Sequence, residues 1–136
     1  MNRSPKRVFQ PIPPDVERVG KIVLDTAFKV HTTPGPGLLE SVYWTAMKHV
    51  IEKNGTLVET EVKLPIMFEG VKIESGLRLD ILAEKCVIAE LKSVENMNPV
   101  YEAQLMTYLR LNKVCLGFLI NFNVPHLKDG IKRMVV

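Results

Sequence analysis

Apolar residues in the first part of the chain recur every three or four positions, which is the period of a helix with one buried face. The first such set comprises Val16, Val19, Val23, Ala27 and Val30. It predicts a helix that is capped by Asp15 and broken by the Pro-Gly-Pro-Gly sequence at residues 34–37. Before this helix, four prolines within residues 1–14 predict an extended N-terminal arm.

A second helical pattern covers residues 38–53, and Asn54 and Gly55 end it. Its predicted buried positions are Leu39, Val42, Tyr43, Ala46 and Val50. The chain is therefore expected to begin with two amphipathic helices.

The period then changes to two, which is typical of β-strands. The predicted strands cover residues 57–64, 65–68, 71–74, 77–83 and 86–92, with a tight turn at Glu69 and Gly70. Asn98 and Pro99 predict the start of a third helix that runs to about residue 111. An apolar strand over residues 114–121 follows, and the tail is expected to add a short strand. This order predicts an α/β or α+β domain over residues 15–136.

Two neighbouring predicted strands carry the most informative polar residues. Their apolar faces comprise Leu77, Leu79, Ile81 and Ala83 on the first strand and Val87, Ala89 and Leu91 on the second. If both faces meet one core, Ala83 opposes Val87, Ile81 opposes Ala89 and Leu79 opposes Leu91. On the other face, Asp80 then lies directly across from Glu90, and Lys92 follows on the same side.

Opposed β-carbons in an antiparallel pair are about 4.5–5.5 Å apart, so two carboxylates in these positions repel each other. A bound Mg²⁺ or Mn²⁺ ion would remove this repulsion, because such ions take carboxylate oxygens together with water and phosphate oxygens. Lys92 would then stabilise charge on a phosphate or help to deprotonate the attacking water. The alternative is a solvated, salt-bridged sheet face in which Asp80 pairs with Arg78 or Lys92.

Two helical residues each admit two interpretations. Glu40 lies in the first turn of the second helix, where it either complements the helix dipole or adds an acid to the metal site. Gln104 shares a face of the third helix with Tyr101 and Tyr108. Its amide either bonds to local backbone or orients the lysine or the attacking water.

Composition and charge add limits. The formal charge of +3 permits binding to a polyanion without requiring it. No apolar run is long enough to cross a bilayer, and no apolar stretch follows the basic N-terminus, so we expect a cytoplasmic protein that does not contact membranes. Cys86 and Cys115 lie in apolar stretches without CxxC spacing, which favours reduced core thiols over a zinc or redox site.

The spacing Gly37-x-x-Glu40-x-x-Tyr43 resembles the signature of the GxxExxY proteins, which are assigned to the PD-(D/E)xK nuclease superfamily. The resemblance runs from about residue 19 to residue 123 and includes Asp80 and the Glu-Leu-Lys triplet at residues 90–92. It implies an α/β, restriction-endonuclease-like core in the order αβββαβ, with a mixed sheet flanked by helices.

By the same resemblance, Asp80 and Glu90 would be metal ligands and Lys92 the catalytic lysine. Glu40 and Gln104 would be the helix acid and helix glutamine of the site. Leu79 replaces the proline of the superfamily's name, at a position that is not a ligand.

The function implied is Mg²⁺- or Mn²⁺-dependent hydrolysis of phosphodiesters in nucleic acid, with DNA favoured over RNA. One alternative is a catalytically silent module of the same fold that binds nucleic acid or a protein partner. Another is a small homodimeric protein with a salt-bridged sheet face. Cleavage of both strands of a duplex would need a homodimer or sequential nicking, and the sequence does not distinguish the two.

Overall fold

The computed structural model describes residues 11–136, and its elements follow the predicted order. The helices are α1 (Pro14–Thr32), α2 (Glu40–Lys53) and α3 (Pro99–Asn112). The strands are β1 (Val58–Phe68), β2 (Val71–Ala83), β3 (Val87–Lys92), β4 (Leu116–Asn121) and β5 (Ile131–Val135), with a short 3₁₀ helix at Leu127–Gly130. Most of the predicted arm lies outside the described residues.

The five strands form one mixed sheet in the order β1-β2-β3-β4-β5. All neighbours are antiparallel except β3 and β4, which are parallel and are joined by the crossover helix α3. One hydrophobic core lies between the sheet and α1 and α2, and a second lies between the sheet and α3. This arrangement confirms the predicted restriction-endonuclease-like α/β fold. No helix among residues 11–136 is both long and apolar enough to span a membrane.

The helix ends and buried faces differ from the prediction in two places. Asp15 does not cap α1, because the N-cap is Pro13 and no side chain bonds to the first turn. In α2, the buried residues are Tyr43, Met47 and Ile51. The predicted positions Leu39 and Val42 are 75% and 47% exposed, and Ala46 and Val50 are only partly buried. Residues four apart share the face of α2 that meets the sheet. Tyr43 of the predicted stripe is confirmed as buried, whereas Leu39 lies before the helix begins and Val42 faces solvent.

The third helix begins as predicted. The Asn98 side chain accepts a hydrogen bond from the Val100 amide at 3.0 Å, and Pro99 occupies the first helical position. The two cysteines are free and only half-buried, so they lie at the margin of the core rather than inside it.

Strands β1 and β2 are each longer than the paired short strands that the sequence predicted. Their register shifts between Leu64 and Pro65, and Gly76 on the opposite strand has a φ of +74°. The Ser75 hydroxyl donates to the Leu64 carbonyl at this bulge. Beyond the bulge, residues 65–68 and 71–74 continue as a two-stranded ribbon around the predicted turn at Glu69 and Gly70.

Both long strands also change the side on which they bury apolar residues. Ile81 and Ala83 lie in the core with α1 and α2, whereas Leu77 and Leu79 lie on the side of α3. The prediction that these four residues share one face was therefore wrong. The change occurs where the β1–β2 register has no pair between Thr60↔Ile81 and Val62↔Leu79, and Glu61 in this gap has a φ of +53°.

Candidate active site

The backbone pairing between β2 and β3 stops just before Asp80 and Glu90, the two acidic residues that the sequence singled out, and a gap in the sheet begins there. The pairs Ile81↔Ala89 and Ala83↔Val87 confirm the predicted register, but the ladder ends there. Leu79 and Leu91 do not pair and lie in different cores, which corrects that part of the prediction. The next positions in the same register are Asp80 and Glu90, where the two strands no longer exchange backbone hydrogen bonds.

Side-chain carboxyls replace the ladder at this point. The Asp80 amide donates to Glu90 Oε1 at 3.0 Å, and the Leu91 amide donates to Asp80 Oδ2 at 2.8 Å. Each carboxyl therefore accepts a backbone N–H from the opposite strand, which fixes both of them in the gap. The structure thus brings Asp80 and Glu90 to a common point.

The electrostatics of the pair follow from its burial. Glu90 is only 7% exposed. Desolvation and the neighbouring Asp80 carboxylate raise the pKa of Glu90 to about 9, and a side-chain hydrogen bond joins the two groups. Desolvation also raises the pKa of Asp80, although the Leu91 amide opposes the shift. Without a bound cation, Glu90 therefore keeps a proton at neutral pH and shares it with Asp80.

Lys92 lies on the α3 side of this pair. Its Nζ atom is 4.2 Å from the centroid of the Tyr101 ring, a cation–π contact that holds the side chain beside the site. Its charge favours the ionised forms of Asp80 and Glu90. Tyr108 lies two turns beyond Tyr101 on α3 and is close to the same carboxyls, since desolvation, Glu90 and Asp80 raise the pKa of Tyr108 to about 12.

Gln104 lies between Tyr101 and Tyr108 on the face of α3 that borders the site, and its side chain is half-buried. No side-chain hydrogen bond of Gln104 is found among residues 11–136. The local-backbone interpretation of this amide is therefore not supported by a contact, and its role at the site remains a prediction.

Glu40 approaches the site from the opposite side of the sheet. It is the first residue of α2 and borders an open groove of about 440 Å³, which Arg78, Asp80 and Glu61 also line. Partial desolvation and the Asp80 carboxylate raise the pKa of Glu40. The groove therefore leads from solvent, past Glu40, to the Asp80 side of the gap.

The other two signature residues shape the loop before α2. The Tyr43 hydroxyl donates to the Gly35 carbonyl at 2.6 Å and accepts from the Leu38 amide at 3.2 Å. The Tyr43 ring stacks on Phe122 with centroids 4.5 Å apart. Gly37 has a φ of +98°, which residues with a Cβ rarely adopt. Tyr43 and Gly37 thus fix the turn that places Glu40, and Tyr43 bonds to backbone rather than to an acid.

Three further residues support the site and were missed from the sequence. The Trp44 indole donates to the Asp80 carbonyl at 3.1 Å, and the Ser93 hydroxyl donates to the Leu38 carbonyl at 2.6 Å. Asn121, which pairs with Lys92 across β3 and β4, is buried and exchanges hydrogen bonds with both backbone groups of Val94. An asparagine that ends an apolar strand was the one available signal, because its amide needs partners when buried.

The carboxyls at the gap can be compared with the ligands that a divalent cation requires. Within residues 11–136, no group of three or more acidic, histidine or cysteine side chains is arranged to hold a metal. Two carboxyls do converge, and two are enough for Mg²⁺, which usually keeps several water ligands and binds through one or two carboxylates plus phosphate oxygens. The pair therefore fits a hydrated hard cation and does not fit a structural zinc ion.

Comparison with known families agrees with the fold. A family model described as the PD-(D/E)XK nuclease superfamily matches residues 17–134. The chain belongs to the PD-(D/E)XK nuclease superfamily. No curated protein and no solved structure gives a significant match. Membership of the narrower GxxExxY branch remains a prediction from Gly37, Glu40 and Tyr43.

The assignment of the superfamily's acidic residue to Asp80 and of its Glu-x-Lys sequence to residues 90–92 remains a prediction from the sequence. Leu79 stands where the superfamily's name has proline, and its side chain is buried against the α3 side of the sheet. The substitution therefore serves the core and leaves the carboxyl pair unchanged.

Proposed function

We propose that this protein hydrolyses phosphodiester bonds in nucleic acid with the help of a divalent cation. The observation that carries the proposal is the pair of carboxyls, Asp80 and Glu90, which meet in a gap of the sheet beside Lys92. Superfamily membership supports nuclease chemistry in general. Nothing in the fold alone requires two acids and a lysine to lie together in a partly desolvated gap.

Asp80 and Glu90 would hold Mg²⁺ or Mn²⁺, which when bound supplies positive charge to the phosphate and lowers the pKa of an attacking water. The proton that Glu90 carries in the cation-free protein must leave when the cation binds. The two backbone amides that donate to Asp80 and Glu90 keep both carboxyls in place through this change. Metal binding should therefore release protons and become tighter as the pH rises.

Lys92 would stabilise the negative charge that develops on the phosphate, since Tyr101 holds its ammonium group close to the two carboxyls. Glu40 would act at the groove on the other side of Asp80, where its raised pKa suits proton transfer to or from water. We assign Gln104 to orient Lys92 or the attacking water, because it projects from the same face of α3 as Tyr101.

Supercoiled plasmid DNA incubated with the protein and Mn²⁺ tests the proposal. Wild type is expected to nick the plasmid, and Asp80→Asn, Glu90→Gln and Lys92→Met should each lower the rate by at least about 100-fold, because each removes a group on which the reaction depends. Asp25→Asn removes an exposed carboxylate from α1 and should leave the rate unchanged. Circular dichroism should show that all variants are folded.

Calorimetry with Mg²⁺ and Mn²⁺ provides the second measurement. Wild type should bind at millimolar or lower concentration, and Asp80→Asn should not. A folded wild type that binds neither ion would refute the metal-dependent reaction. If DNA or RNA still bound under those conditions, the silent binding module would be the better description. Matched DNA and RNA substrates would test the preference for DNA, and sedimentation at several protein concentrations would test for a homodimer.

A further inference from the structure

The ribbon beyond the β1–β2 bulge has two chemically different sides. Lys63 pairs with Arg78, and Met67 pairs with Lys72, so these residues lie on one side together with Glu74. Lys63, Lys72, Glu74 and Arg78 line a groove of about 270 Å³. The other side carries Ile66, Phe68, Val71 and Ile73, which continue the apolar side that packs against α3 nearer the sheet centre.

The cations on the first side are available for a ligand. Lys63, Lys72 and Arg78 are all exposed. In the part of the chain from residue 11 onward, the ion pairs involve Lys21, Lys48, Lys132 and Arg133, and none involves these three. Glu74 is the acidic residue that lines the same groove, so the groove keeps an excess of positive charge.

Arg78 connects this basic groove to the active site. It lines the ribbon groove with Lys63 and Lys72, and it also lines the groove that contains Asp80 and Glu40. Arg78 lies two residues from Asp80 on the same strand, which is about 7 Å, and Lys72, beyond the bulge at Ser75 and Gly76, lies about 20 Å away at the ribbon's end. The positive charges therefore form a line that starts at the carboxyl pair and leads outward along the ribbon.

We propose that Lys63, Lys72 and Arg78 bind phosphates of the nucleic acid on one side of the bond to be cut. The proposal rests on the proposed function, because that function identifies the bond to be cut. The predicted binding of nucleic acid to the three cations does not itself require cleavage. A polynucleotide is the ligand that suits the site, because Lys63 and Arg78 lie opposite each other and Lys72 lies about 13 Å further out along the groove, which spreads the positive charge over more than one phosphate. The apolar side of the ribbon does not take part in these contacts.

The experiment measures binding of a fluorescent DNA duplex of about 20 base pairs, and of its single strand, in EDTA to prevent hydrolysis. In Lys63→Gln/Lys72→Gln, the dissociation constant should rise about 10- to 50-fold at about 100 mM salt, and the slope of log affinity against log salt should fall by about 2 for duplex. A slope change nearer 1.4 would indicate single-strand contacts. The duplex and single-strand arms thus identify which form occupies the groove.

Arg18→Gln/Lys53→Gln is the matched control, since it removes two exposed helical cations, neither of which borders the ribbon groove, and changes the net charge equally. It should lower the salt slope by less than half as much. Equal effects of the two double variants would overturn the proposal, and so would a change in oligomeric state in place of a change in affinity. If wild type binds DNA through the ribbon and cuts nothing, the proposed function fails while this inference stands. If wild type cuts DNA and the ribbon variant has an unchanged KM and salt slope, this inference fails while the proposed function stands.

Discussion

Replacement of Glu90 by glutamine should stabilise the cation-free protein, and the gain should grow with pH. The glutamine carbonyl can accept from the Asp80 amide and its NH₂ group can donate to the Asp80 carboxylate, so both bonds of the protonated acid are kept. The difference is that glutamine cannot ionise. Glu90→Gln therefore isolates the cost of holding an ionisable group in this gap.

The sign and size follow from linkage. The pKa of Glu90 is about 9 in the folded protein against an ordinary value of 4.5, so between these values the folded state binds more protons than the unfolded state. The contribution of Glu90 to stability is therefore fully present below pH 4.5 and is lost as the pH rises towards 9, by about 1.4 kcal/mol per pH unit. At pH 7 the variant should be more stable than wild type by about 3 kcal/mol, or about 10 °C in Tm.

Urea unfolding in EDTA at several values between pH 5 and pH 8 measures this difference. Glu52→Gln, which removes an exposed carboxylate from α2, is the matched control and should not reproduce the gain seen with Glu90→Gln. Addition of Mg²⁺ should stabilise wild type and leave Glu90→Gln unaffected, because only wild type keeps both ligands. A stability difference that is flat from pH 5 to pH 8 would refute the assignment of a shared, buried proton to this pair.

Three further substitutions test the supports of the site. Tyr43→Phe removes the bonds to Gly35 and Leu38 and should cost about 1–2 kcal/mol in urea unfolding, with slower nicking because the start of α2 is loosened; unchanged values of both would contradict the role given to the hydroxyl. Gly37→Ala should cost about 1 kcal/mol or more by the same assay, because its φ of +98° disfavours a Cβ, and a neutral result would argue against that turn. Asn98→Ala should lower stability by about 1 kcal/mol through loss of the α3 cap, while the exposed Asn96→Ala should not.

Much of the fold could be predicted because local chemistry determined it. The Pro-Gly-Pro-Gly break after α1, the Asn98 cap and the turn at Glu69 and Gly70 each depend on a few adjacent residues. The register that pairs Ala83 with Val87 could also be predicted from the sequence, because a strand with one apolar face permits few alignments.

The errors arose where tertiary contacts override the period of the strand. Leu79 looks equivalent to Ile81 in the sequence, and only the break opposite Glu61 places them on different sides. In α2, Val42 and Tyr43 are both apolar enough to be buried, and the position of the helix start decides between them. The hydrogen bonds of Trp44 and Ser93 join residues 36 and 55 positions apart, which no local pattern can reveal.

The change of side at Asp80 makes the alternation of side chains in the outer half of β2 independent of that in the inner half. Because Leu77 and Leu79 of the outer half face α3, whereas Ile81 and Ala83 of the inner half face α1 and α2, each half keeps its own two-residue phase. A paired insertion that lengthens the hairpin near Glu69 would extend the outer half without rephasing Ile81 or Ala83. The ribbon can therefore vary in length and sequence as an exchangeable module, while the end of the strand that carries the acid stays constant.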